Sequence, residues 1–297
     1  MSRVTANLLL LFAGAVWGMG FVAQSTAMEK IGPWSYNGLR FLIGGLALLP
    51  LVRMEALRAA APLSGRQWRG YVAIGLFLFA GSILQQIGIV HTSVTNAGFL
   101  TGLYVVLTPL LALALFRNRP HPVILMAAPM AFAGIVLTGG GHLGPLSGGD
   151  MLVMAGAVFW ALQILFIGRF APGSGRPFAL SATQFLVAAG LSFVGALVLE
   201  DTGLSEIAAA APEILYAGLV SVALGFTVQV VAQQHTTGPQ AAVMLSSETL
   251  FAGLFGALIL GERLGPVALA GCGLIFAAML LVEVGPTAWQ ARRRSGN

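Results

Sequence analysis

The chain has 297 residues, 8% of them charged and 57% hydrophobic, with a mean hydropathy of +0.89 and a formal net charge of +5. A soluble domain carries about a quarter of its residues charged, so the composition excludes a soluble globular protein and requires a bilayer as solvent. The basic pI near 10.1 does not read as nucleic-acid binding, because the sole lysine is Lys30 and the arginines lie scattered between apolar runs.

A helix needs about 20 apolar residues to cross the hydrocarbon core, and the sequence predicts ten such spans. The first, 5–27, follows Arg3 and could pass for a secretory signal, but its apolar stretch runs on to Val22. Its Ala-Gly-Ala-Val string also recurs at Ala155 to Val158, so we read it as a retained helix. Spans 33–52, 68–90, 95–116 and 121–138 complete a first group. Spans 149–168, 177–199, 213–233, 239–260 and 264–282 form a second. The connections are short and carry turn signals such as Gly139-Gly140-Gly141 and Pro172-Gly173-Ser174-Gly175. The two longest, 54–67 and 201–212, have room for a turn of interfacial helix. With one cysteine, Cys272, no intrachain disulfide forms, and no Cys/His cluster has zinc-site spacing. No cofactor and no metal are expected.

Positive-inside bias sets the orientation. With a cytoplasmic amino terminus, the inner side collects 12 of the 15 basic residues, while the outer side holds Lys30 and Arg263 beside seven carboxylates, Glu29, Asp150, Glu200, Asp201, Glu206, Glu213 and Glu262. Both termini are expected in the cytoplasm, and the chain in a bacterial inner membrane in contact with lipid.

Sliding the chain by 144 residues places Pro33 on Pro177, Phe41 on Phe185, Gly81 on Gly225, Gln85 on Gln229, His91-Thr92 on His235-Thr236 and Pro122 on Pro266. Chance repetition of apolar letters does not explain paired glutamines, histidines and prolines in one register. The units are 1–140 and 141–297, the second ending in a short basic tail. Because each has an odd number of spans, the second must enter the membrane from the opposite side. The expected fold is therefore all-α, ten transmembrane helices in two inverted five-helix repeats around a central cavity. That architecture serves alternating access to a site near the midplane.

The residues Gly14-Ala15-Val16-Trp17-Gly18, Gly32-Pro33, Asn37-Gly38-Leu39-Arg40-Phe41, Thr92 to Ala97 and Leu260-Gly261-Glu262-Arg263-Leu264 resemble the ten-helix EamA-type branch of the drug/metabolite transporter superfamily. The resemblance covers nearly the whole chain. It implies export of small metabolites such as amino acids without ATP hydrolysis, and is nearest to bacterial exporters of aromatic and other neutral amino acids. Two departures stand out. Arg117-Asn118-Arg119 replaces Gly-Glu-Arg after the fourth span, and Glu248-Thr249 replaces Glu-Pro in the ninth. Without that proline, the ninth span loses the reason to expect a kink.

An ionisable side chain in mid-span costs about 2.5–3.5 kcal/mol on insertion scales, so Arg40 and Glu248 demand an explanation. Either Arg40 meets a substrate carboxylate and Glu248 an amine or proton, or the two pair with each other or with amides. The polar and aromatic residues Trp17, Tyr36, Asn37, Gln85, Asn96, Tyr104, Trp160, Gln163, Gln184 and Gln229 complete a candidate site suited to a zwitterion. The amides equally serve as glue between helices. His91 and His235, matched at opposite faces, join Glu248 as candidates for proton coupling, with helix capping as the plainer role.

Rival functions leave weaker traces. Lys30 sits in no glycine loop of the kind that binds ATP, and the aspartates Asp150 and Asp201 lie outside the spans, against an intramembrane protease. No enzymatic activity is expected, although a lipid-modifying membrane enzyme, a channel, or an importer or exchanger of a vitamin, nucleoside or sugar derivative remain rival readings.

Overall fold

In lipid every backbone amide must be paired within its own segment or a closed barrel, and a chain this rich in Leu, Ala and Gly meets that demand with helices. The computed structural model describes residues 1–297 apart from 60, 93, 118, 139–145, 261–264 and 296–297; the side chains of 94–96, 256–257, 259–260 and 285–295 are also outside the described set. The described helices run α1 (Arg3–Ala27), α2 (Pro33–Arg58), α3 (Gly65–Val90), α4 (Val94–Thr101), α5 (Tyr104–Phe116), α6 (Pro122–Thr138), α7 (Gly148–Phe170) and α8 (Pro177–Leu199). After them come α9 (Leu204–Ala209), α10 (Ala211–Leu215), a π-helical segment (Tyr216–Phe226), α11 (Thr227–Gln233), α12 (Gly238–Leu245), α13 (Ser247–Leu260) and α14 (Pro266–Ser295).

Among the described residues, seven helical stretches are long and apolar enough to cross a membrane, and α6, at 17 residues, is a shorter apolar helix. The two remaining expected spans are coloured by polar or broken sequence. Asn37 and Arg40 near the start of α2, with Arg53, Glu55 and Arg58 near its end, lower its hydropathy, while 239–260 is divided between α12 and α13. The connection at 201–212 holds the short helix α9, as its length suggested. The glycines of the 172–175 turn take left-handed φ values of 70° at Gly173 and 61° at Gly175. The turn signal at 139–141 lies outside the described residues.

The ninth span corrects the sequence reading: it is interrupted without a proline. Ser246 separates α12 from α13, its Oγ donating to the Val243 carbonyl at 2.7 Å. Such back-bonding by serine competes with the helical ladder and bends it. The fourth span breaks at Gly102–Leu103, where Val105 N bonds Gly102 O at 3.0 Å in a tighter, three-residue register. Gly102 and Ser246 are equivalent under the 144-residue shift, so both repeats interrupt the same helix at the same place.

Two pairs of equivalent helices, α6 with α14 and α2 with α8, pack antiparallel. In α6 and α14, Gly134 lies against Ile275 and Thr138 against Gly271. A Cβ on Gly271 would stand 2.5 Å from both the Gly134 carbonyl oxygen and the Thr138 nitrogen. Both are backbone atoms that cannot step aside, so Gly271→Val is expected to cost about 1–3 kcal/mol or more by overpacking, read as a lower melting temperature in detergent.

In α2 and α8 the pairing is closed at both ends. Each helix starts with proline at its first turn and lacks a side-chain cap of its own. The partner supplies one instead. Glu200, at the end of α8, accepts from Trp34 N and Ser35 N at 2.8 Å each, and Glu55, near the end of α2, accepts from Phe178 N at 3.0 Å and Ala179 N at 2.9 Å. A Cβ at Gly32 would meet the Glu200 carboxylate at 2.3 Å, so a side chain there would push that carboxylate off its cap.

Candidate functional site

One cavity draws its walls from both repeats. It takes Trp17 from α1, Arg40 from α2, Gln85 from α3, Tyr104 from α5, Trp160 and Gln163 from α7, Gln229 from α11 and Glu248 from α13. All eight were among the sequence candidates. Tyr104 and Glu248 each stand just past their helix break, at equivalent positions of the two repeats. The cavity has a free volume of about 50 Å³. That is room for a few waters and well short of the ~300 Å³ at which ligand pockets begin, so a bound solute must spread the walls.

The two indoles flank one ring. Trp17 lies 4.5 Å from Phe226 between centroids, and Trp160 lies 5.9 Å away, stacked at 16°. Each indole N–H is fixed, Trp17 Nε1 donating to the Ser221 carbonyl at 3.1 Å and Trp160 Nε1 to Gln85 Oε1 at 3.0 Å. Ser221 and Phe226 belong to the π-helical segment, a geometry that is rare and recurs at functional sites. Below them Gln163 and Gln229 exchange amide hydrogen bonds at 3.3 and 3.4 Å, and Gln163 also donates to Gln184 Oε1 at 3.2 Å.

The charged groups do not neutralise one another. Arg40 and Glu248 are both buried, and among the described residues neither forms an ion pair. Arg40 donates through Nε and Nη2 to Asn37 Oδ1 at 3.1 and 2.7 Å and lies over the rings of Tyr36 and Phe41 at 5.2 and 4.9 Å. Such ring faces attract a cation without cancelling its charge. Glu248 faces Tyr104, yet its Oε1 and the Tyr104 hydroxyl have no formed hydrogen bond among the described residues.

Other candidates fall elsewhere. Tyr36, Asn37 and Gln184 are fully buried and lie behind the cavity wall, touching the residues that line it. The Asn96 side chain is outside the described residues. His91 caps the end of α3 and His235 follows α11; both are exposed and neither lines the cavity. Sequence reasoning passed over Phe226, Ser221 and Thr101. The equivalent of Phe226 in the first repeat is Ser82, so no repeat signal marked it.

Two vestibules flank this centre. At the arginine-bearing end a space of about 1070 Å³ is lined by Arg3, Arg119, His121 and Arg169. At the acidic end a smaller one, about 340 Å³, is lined by Glu29, Lys30, Glu200, Asp201 and Glu206. The acidic end is crossed by Lys30–Glu213 at 2.5 Å, Ser35–Thr202 at 2.8 Å and a Thr92–Asp150 hydrogen bond.

Known proteins match this architecture. The sequence profile of the EamA-like transporter family matches twice, at residues 4–140 and 147–284. An uncharacterized transporter of Archaeoglobus fulgidus is 28% identical over 284 residues, covering 96% of this chain and 87% of its own. The uncharacterized protein PA1977 of Pseudomonas aeruginosa is 31% identical, with 93% and 94% covered, and the uncharacterized transporter YwfM of Bacillus subtilis is 26% identical, with 94% of each covered. A protein crystal structure superposes with a TM-score of 0.78 at 19% identity, over 95% of this chain and 98% of that one, a likeness of fold. The chain is thus a multi-pass, non-enzymatic membrane transporter built of two EamA repeats, and it belongs to the EamA-like transporter family.

Proposed function

We propose that this transporter moves small zwitterionic metabolites, amino acids first among them, by alternating access around the Arg40–Glu248 cavity. The observation that carries the reading is that one cavity holds a buried cation and a buried carboxyl that do not pair. Keeping both in a membrane without an ion pair costs several kcal/mol in sum, a cost that a ligand carrying one charge of each sign offsets. Interrupted helices beside the site fit the way secondary transporters expose polar backbone only where it lines a cavity.

In this reading the repeats, 1–140 and 141–297, are inverted about an axis in the membrane plane, and both termini face the cytoplasm of a bacterial inner membrane. The antiparallel pairing of α2 with α8 and of α6 with α14 supports it. We read the larger space at the arginine-bearing end and the cross-links at the acidic end as an inward-open arrangement. Export, the direction that the sequence resemblance implies, would load its substrate in that state.

Transport into liposomes holding the purified protein tests the proposal, with a panel of amino acids, vitamins and nucleosides, with and without a pH gradient. Arg40→Ala is expected to weaken transport of amino acids at least about tenfold, the scale of a lost charged hydrogen bond, and to spare their amides. Equal loss for both assigns Arg40 to packing. If transport responds to pH, Glu248→Gln is expected to abolish that response, and an unchanged pH profile removes Glu248 from coupling.

A further inference from the structure

Arg40 is held by a polar relay that orients the guanidinium and stops short of neutralising it. Asn37 Oδ1 takes two of its N–H groups, at 3.1 and 2.7 Å. Asn37 Nδ2 in turn donates to Ser82 Oγ at 3.1 Å and Ser192 Oγ at 2.9 Å, which come from α3 and α8. The Ser82 hydroxyl is anchored on the Phe79 carbonyl at 3.1 Å. Asn37, Ser82 and Ser192 are each fully buried, and Arg40 lines the cavity.

The amide at position 37 is the decisive choice. An asparagine oxygen fixes the plane of the guanidinium, but it carries no charge, so the full positive charge stays available to an anion in the cavity. An aspartate of the same shape would form a permanent ion pair and fill that role itself. The second repeat has no such device, because its equivalents of Arg40 and Asn37 are Gln184 and Ser181. From this juxtaposition we infer that Asn37, backed by Ser82 and Ser192, is a positioning residue that keeps Arg40 as a preorganised receptor for the substrate's carboxylate. The inference rests on the zwitterion reading of the cavity and deepens it.

Asn37→Asp is the informative substitution. Serine hydroxyls donate as readily as they accept, so Ser192 can turn to face the new carboxylate, and Ser82 can do so by giving up its bond to the Phe79 carbonyl. The full-length protein is reconstituted in liposomes, and exchange of a mixture of radiolabelled neutral amino acids is measured beside its melting temperature. Asn37→Asp is expected to melt at or above the wild type while its half-saturation concentration rises at least about tenfold, with the maximal rate nearly kept. Ser192→Ala is expected to raise half-saturation about two- to fivefold, the scale of one neutral hydrogen bond.

Asn37→Asp with wild-type half-saturation overturns the inference, as does a loss of rate and stability together with no change in half-saturation. Arg40→Gln separates this failure from failure of the underlying reading. If Arg40→Gln loses amino-acid exchange and Asn37→Asp does not, the carboxylate site stands and the role of Asn37 falls. If Arg40→Gln exchanges as the wild type does, or the wild type exchanges none of the mixture, both fall.

Discussion

Removing the carboxylate at Glu55 or Glu200 is expected to destabilise the protein by about 2 kcal/mol or more. Each accepts two backbone N–H groups at the start of a helix that has no cap of its own. Loss of a helix cap costs about 0.5–2 kcal/mol, and a hydrogen bond to a charged group contributes about 1.5–3 kcal/mol. Glu200→Ala is therefore expected to cost about 2 kcal/mol or more. Glu55→Ala should cost more, since Arg176 lies 3.8 Å from that carboxylate with only 11% of its side chain exposed and would lose its counter-ion. The two sites sit at opposite ends of the α2–α8 pair, so their effects should add in the double variant. Melting curves in detergent read the effect, and wild-type curves for either variant would show that the helix ends are satisfied some other way.

A second large loss is expected from Gly18→Val. The first helix crosses α13 through Gly14 and Gly18. A Cβ on Gly18 would lie 2.7 Å from the Ala252 nitrogen and 2.8 Å from the Glu248 carbonyl oxygen, and one on Gly14 would lie 3.1 Å from the Glu248 nitrogen. These are backbone atoms of the segment that presents Glu248 to the cavity. Overpacking costs about 1–3 kcal/mol even where side chains can yield, and here only the helices can move. Gly18→Val is expected to lose transport and to melt lower, while Gly98→Ala, where an added Cβ meets nothing within 4 Å, should keep both. Transport at wild-type rates by Gly18→Val would mean that the α1–α13 seam does not set the position of Glu248.

Much of this was legible in the sequence because the repeat is written in polar letters. Paired Gln85 and Gln229, and the mapping of Tyr104 onto Glu248, pointed to residues that the fold does bring to one cavity. What the sequence hid falls into two kinds. The break at Ser246 was missed because proline was taken as the sign of an interruption, whereas a serine bonded to its own helix is enough. Its equivalence to Gly102 appears only once both breaks are seen. Residue type also could not separate wall from support. Asn37 and Arg40 sit one turn apart on the same helix face, but only the packing of α3 and α8 around Asn37 turns it away from the cavity and leaves Arg40 in it. The cross-repeat caps were unreadable for a similar reason, since Glu55 and Glu200 lie far in sequence from the helix ends they serve.

The account stands on a cavity that answers the two ends of a zwitterion with two side chains that form no ion pair among the described residues. Its most direct test is exchange in wild-type liposomes of a neutral amino acid, compared with its amide, which lacks the carboxylate, and its N-acetyl derivative, which lacks the ammonium. The account predicts that the amino acid exchanges and that masking either end cuts exchange at least about tenfold. Equal exchange of all three would contradict it.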